Sequence, residues 1–160
     1  MTAEPPTQAD RRADGPRRLE TEVFYASPFT LVGRLRSFRH AAMGMWFVLR
    51  SQHNAWLHAV ATVLALVLAA VLHVKVKPFT TSEWCTLVIA IVMVWVAETF
   101  NTGLEVLAAA ITAERHPIVK IAKDVAAAAV LLSAFGAVIV GAFLFVPPLA
   151  DLIMNYLAAR

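Results

Sequence analysis

The chain has 160 residues, 59% of them apolar, with a mean hydropathy of +0.67 and a formal net charge of +3. That balance excludes an ordinary soluble domain and points to an integral membrane protein. The single cysteine, Cys85, excludes an intrachain disulfide and, set in an apolar run, reads as a small packing residue.

Residues 1–28 are rich in Pro, Arg, Ala and acidic side chains, which predicts a disordered cytosolic tail. Arg11-Arg12 is not followed by an apolar h-region, so no targeting signal is assigned to it. Between residues 29 and 53, Leu31, Leu35, Phe38, Ala42, Met45 and Leu49 recur at steps of three and four. Arg34, Arg36, Arg39, His40 and Arg50 occupy the other faces. This pattern predicts an amphipathic surface helix with its basic side toward the headgroups.

Three membrane spans follow, at about 55–74, 82–113 and 118–146. The first has Trp56 near its start, and His58, one turn inside the span, is read as a hydrogen-bonded packing residue rather than a ligand. Lys75-Val76-Lys77-Pro78 ends it, and Thr81-Ser82-Glu83 offers a cap for the second. At about 1.5 Å per residue the second helix is about 48 Å long, more than a bilayer needs. Glu114-Arg115-His116-Pro117 forms the next turn, with Pro117 suited to the first turn of the third helix. Pro147-Pro148 is expected to break that helix and leave a short tail, residues 148–160. The fold class expected is an all-α membrane protein: one surface helix and three spans. Eleven Lys and Arg fall on the side of the N-terminus and the second-to-third turn, against three on the other. The positive-inside bias therefore sets the N-terminus and that turn in the cytoplasm.

The chain is organised around Ala97-Glu98-Thr99-Phe100-Asn101-Thr102-Gly103-Leu104-Glu105, which places two carboxylates and an amide inside a membrane span. Residues 98, 101 and 105 share one helical face. A charged group at membrane depth costs on the order of 2.5–3.5 kcal/mol even on insertion scales, so this stripe needs a partner, a metal or a water-filled site. The third span starts with Lys120, Lys123 and Asp124, where free backbone N–H groups and the helix dipole favour phosphate. Glu105 could hold Mg²⁺, and the deeper Glu98 could accept a proton from a hydroxyl at the membrane surface. Metal, phosphate site and base together describe phosphoryl transfer from ATP. There is no phosphate-binding loop: Gly136 to Gly141 lacks the lysine and suits helix packing instead. Neither a Cys/His zinc cluster nor a nucleophile elbow is present.

These residues resemble the small prokaryotic diacylglycerol kinase/undecaprenol kinase family over about residues 33–146. The likeness is strongest in Ala97 to Glu105 and in Ala122-Lys123-Asp124-Val125-Ala126-Ala127-Ala128-Ala129-Val130. The resemblance implies a homotrimer of three-span subunits with composite sites between them, at the bacterial cytoplasmic membrane. It implies MgATP-dependent phosphorylation of a lipid alcohol, diacylglycerol or undecaprenol, at the cytosolic interface. Carried over by motif, Glu98 is the catalytic base, Glu105 a Mg²⁺ ligand and Asn101 a site-organising residue. Glu114, His116, Lys123 and Asp124 contact the nucleotide. Two positions depart from the family pattern: Gln52 stands where many members have a second metal-binding Glu, and Ala109 where many have Asp. An amide still coordinates through oxygen, so Gln52 is kept as a metal candidate, without the charge. The competing readings are a non-catalytic member of the family and a small ion- or proton-conducting oligomer. The apolar runs Trp84 to Val96 and Ala134 to Val146 argue against a continuous polar conduction route.

Overall fold

The computed structural model describes residues 31–112 and 116–158. The predicted tail (residues 1–28) and Glu114 therefore lie outside the described residues. The chain divides after Ala41 into two units, residues 1–41 and 42–160. Among the described residues the secondary structure is all helical: α1 Leu31–Ser51, α2 His53–Lys75, α3 Thr81–Ile111 and α4 Pro117–Ala158. The last three are each long and apolar enough to cross a membrane. Their outward side chains are apolar and exposed, among them Val63, Val67, Val92, Leu132 and Val138. In water that surface would aggregate; in hydrocarbon it is the correct exterior.

Gln52 separates α1 from α2 with a single extended residue, φ −110° and ψ 122°. Its N–H donates to the Val48 carbonyl at 3.1 Å, closing the last turn of α1. Its side chain does not cap α2, because it is engaged across the bundle, as described below.

The link from α2 to α3 is pinned by its own polar groups. Thr80, one residue before the cap expected from the sequence, is the N-cap of α3. Its Oγ1 accepts from the Glu83 N–H at 3.3 Å, and its own N–H donates to Glu83 Oε2 at 2.6 Å. This is a reciprocal capping box, and Thr-x-x-Glu is its sequence signature. Lys77 Nζ adds an ion pair to Glu83 Oε1 at 3.0 Å. The Phe79 N–H donates to His73 Nδ1 at 2.8 Å, so the backbone of the link is satisfied before it meets lipid. Thr80→Ala removes one half of the box and is expected to cost about 1 kcal/mol. The check is a lower thermal midpoint in detergent, with faster amide exchange at Glu83.

At this end of the bundle Ala69, Leu72, Phe79 and Leu87 form the buried cluster, with Leu144, Phe145 and Leu149 of α4 packed on it. The Phe79 ring lies 5.7 Å from Trp84 and 6.4 Å from Phe145. Lipid tails are as apolar as these side chains, so close packing rather than water exclusion holds the helices here.

That cluster also explains a departure from expectation. Pro147-Pro148 does not break the last helix: α4 continues through both prolines to Ala158. Each proline removes one backbone donor, yet Leu144 and Phe145 before the pair and Leu149 after it grip the same cluster, and Pro148 is itself buried. Packing on both sides outweighs the lost hydrogen bonds, as membrane helices commonly permit. Gly136 has open space around it, and Gly141 lies against the Phe145 ring of its own helix. Cys85 is exposed on α3 rather than packed within the chain.

Candidate active site

The α2–α3 pair carries the polar residues. The two helices run antiparallel, and three side-chain contacts mark their register. Gln52 Nε2 donates to Glu105 Oε2 at 2.9 Å. Six residues further along α2, His58 Nε2 lies 3.8 Å from Glu98 Oε2, seven residues back along α3. Four residues deeper again, Trp95 Nε1–H donates to Thr62 Oγ1 at 3.1 Å. Each step of about one to two turns on α2 is matched on α3, so the stripe is read by its neighbour rung by rung.

The stripe faces protein, not lipid. Glu98 is 0% exposed, Asn101 6% and Thr102 1%. Among the described residues, neither oxygen of Glu98 has a hydrogen-bond partner, and Asn101 Oδ1, Thr102 Oγ1 and His58 Nε2 are likewise unpartnered. Buried polar atoms are nearly always satisfied, and a buried carboxylate left bare is costly. Five such atoms lie on these two helices, with His58 Nε2 and Glu98 Oε2 facing each other. Thr102 and His58 were not among the site residues expected. Thr102 lies within the Ala97 to Glu105 stretch, where the sequence assigns it no role; His58 reads from sequence as a packing residue because spacing carries no inter-helix register.

An apolar cavity of about 340 Å³ begins at His58 and runs between α2, α3 and α4. Ala61, Ala65, Ala90, Ala134, Ala137 and Gly141 line much of it, and their small side chains leave the space open.

At the other end of the site, α4 begins at Pro117, and the His116 carbonyl accepts the Lys120 N–H at 3.0 Å. Lys123 and Asp124 are exposed on its first turns. Asp124 pairs with Lys120 at 2.6 Å, one turn apart on the same helix. No hydrogen bond or ion pair among the described residues joins Lys123 or Asp124 to Glu98, Asn101 or Glu105. The structure thus unites Gln52 with Glu105 and His58 with Glu98, and leaves His116, Lys123 and Asp124 as a separate exposed group. Ala109, the second departure from the family pattern, is exposed on α3.

No group of three or more His, Cys, Asp or Glu side chains that could hold a metal occurs among the described residues. Magnesium does not require one, because it is usually bound through one or two carboxylates together with substrate phosphates and water. Glu105 and Gln52 supply oxygen donors of the right kind on adjoining helices, so the residues present fit that hard cation.

Fold and site together define an all-α integral membrane protein with an acidic, protein-facing site inside its spans. The chain belongs to the prokaryotic diacylglycerol kinase family, whose model matches residues 39–145. It is 36% identical over 137 residues to a diacylglycerol kinase of Synechocystis, covering 85% of this chain and 73% of that protein. It is 32% identical over 114 residues to an undecaprenol kinase of Bacillus subtilis, covering 71% of this chain and 89% of that protein. The chain is a lipid kinase by family.

Proposed function

We propose that this protein transfers the γ-phosphoryl group of ATP to the hydroxyl of a membrane lipid alcohol, diacylglycerol or undecaprenol, at the cytosolic face of the bacterial cytoplasmic membrane. The observation that carries the reading is Glu98: a fully buried carboxylate without a hydrogen-bond partner among the described residues, 3.8 Å from His58, which lines a cavity suited to an apolar chain. A hydroxyl placed against Glu98 would leave its apolar chain in that cavity, and the acceptor's chemistry requires both. The names of the two relatives support the two candidate acceptors, one each.

In this reading Glu98 takes the hydroxyl proton as the oxygen bonds to the γ-phosphorus and ADP leaves. Asn101, on the same face of α3, keeps the site in place. Glu105 and Gln52 would hold Mg²⁺, which supplies positive charge to the phosphate oxygens when bound. His116, Lys123 and Asp124, together with Glu114 in the turn before them, hold the nucleotide at the start of α4. There backbone N–H groups and the helix dipole favour anions. The separation of that group from Glu98 within one chain supports a homotrimer in which a neighbouring subunit completes each site. The lysine and arginine distribution supports a cytosolic N-terminus.

Incubating the purified protein in micelles with γ-labelled ATP and a panel of lipid alcohols tests this directly. Label is expected in diacylglycerol, undecaprenol or both; label in neither overturns the reading.

The Gln52–Glu105 pair offers a sharper test of the metal. Gln52→Glu replaces an amide donor with a second carboxylate 2.9 Å from the first. Without a cation the two acids repel, so chelator should lower the thermal midpoint of the variant more than that of the parent. With Mg²⁺ the order reverses, and half-maximal activity is expected at a lower magnesium concentration. Identical responses to chelator in both proteins would remove the metal from this pair.

A further inference from the structure

We infer that His58 is a positioning residue for Glu98, donating its Nε2–H across the α2–α3 interface to aim the carboxylate during turnover. The inference rests on the reading of Glu98 as the catalytic base.

Glu98 is sealed from solvent and finds no support on its own helix. Asn101 and Thr102, one turn on, make no hydrogen bond to it. The group facing it from another helix is His58, whose Nε2 is 3.8 Å from Glu98 Oε2 and has no other partner. That separation exceeds a hydrogen bond by under 1 Å, which a small side-chain rotation closes. Catalytic contacts are often long in the absence of substrate and tighten around it. The placement of His58 is not incidental. It stands on the rung between Gln52–Glu105 and Thr62–Trp95, both hydrogen-bonded, so its approach to Glu98 is held from either side. His58 also lines the apolar cavity. A chain entering there would exclude water from the pair and strengthen its interaction.

The test compares three substitutions at one position. His58→Leu keeps bulk without a donor and is expected to lower kcat about 10- to 100-fold, with the KM for ATP changed less than about two-fold. His58→Gln keeps an N–H at similar reach and is expected to recover much of that loss. His58→Ala serves as the truncation. In a Glu98→Asp background, with turnover slowed but measurable, adding His58→Leu is expected to change kcat by less than about two-fold, because the two residues act as a unit. A packing role would instead give equal losses in the Leu and Gln variants and independent losses in the double variant, and either result overturns the inference. Full activity of Glu98→Gln would refute the base itself. Loss of activity in that variant, with all His58 variants as active as the parent, would refute His58 alone.

Discussion

Glu98→Gln is expected to reduce ATP-dependent lipid phosphorylation about 10²- to 10⁴-fold while leaving the folded protein intact. The substitution preserves shape almost atom for atom and removes one property, the ability to take a proton. General base catalysis contributes typically about 10²–10⁴-fold, and a neutral amide in this position retains none of it. The structural consequence should run the other way. Glu98 is fully buried and its two oxygens are unpartnered, so exchanging the acid for an amide relieves a costly group. The thermal midpoint in detergent is therefore expected to hold or rise as activity disappears. Turnover of the purified variant, measured beside its melting curve and its elution volume, checks both halves. Retained turnover sinks the assigned role; a collapsed fold would show that the carboxylate is structural.

Glu105→Gln is expected to have the second largest effect, through the metal rather than the proton. The amide oxygen it retains still accepts the Gln52 N–H, so the contact between α1–α2 junction and α3 persists. What is lost is the formal negative charge on which a hard cation depends, since Gln52 contributes none. Catalytic efficiency with MgATP should fall about 10- to 100-fold, in line with other losses of metal-supporting groups. Raising the magnesium concentration should restore part of it. The diagnostic is the magnesium titration: a curve superimposable on that of the parent would place the metal elsewhere.

These two variants separate functions that lie about 10 Å apart along one helix, at the usual rise per residue. Glu98 is deep and sealed, suited to a proton exchanged with a membrane-embedded hydroxyl. Glu105 is only partly buried and nearer the end of α3, the place proposed for a hydrated cation. One helix thus carries one acid in each environment.

Much of this was legible in the residues themselves. Three helices of membrane-crossing length follow from runs without charge, because unpaired backbone or charge in hydrocarbon costs too much for any other solution. The acidic stripe was visible as three polar side chains on one face of an apolar helix. Pro117 at the start of α4 obeyed a local rule that needs no partner. The capping box at Thr80 and Glu83 was equally local, though its first residue lay one position before the cap expected.

Tertiary structure decided what periodicity cannot express. Which residue of α2 meets which residue of α3 depends on how the 76–80 link closes and on the packing of Leu72, Phe79 and Leu87, not on either helix alone. That register is what turns His58 from an apparent packing residue into the neighbour of Glu98, and gives Gln52 to Glu105. The same holds for the proline pair: two missing donors argue for a break, and only the grip of α4 on the buried cluster carries the helix through them. Composition and spacing settle what each helix must be, because those costs are paid locally; the chemistry of the site arises between helices, where register, set by packing, determines which groups can touch.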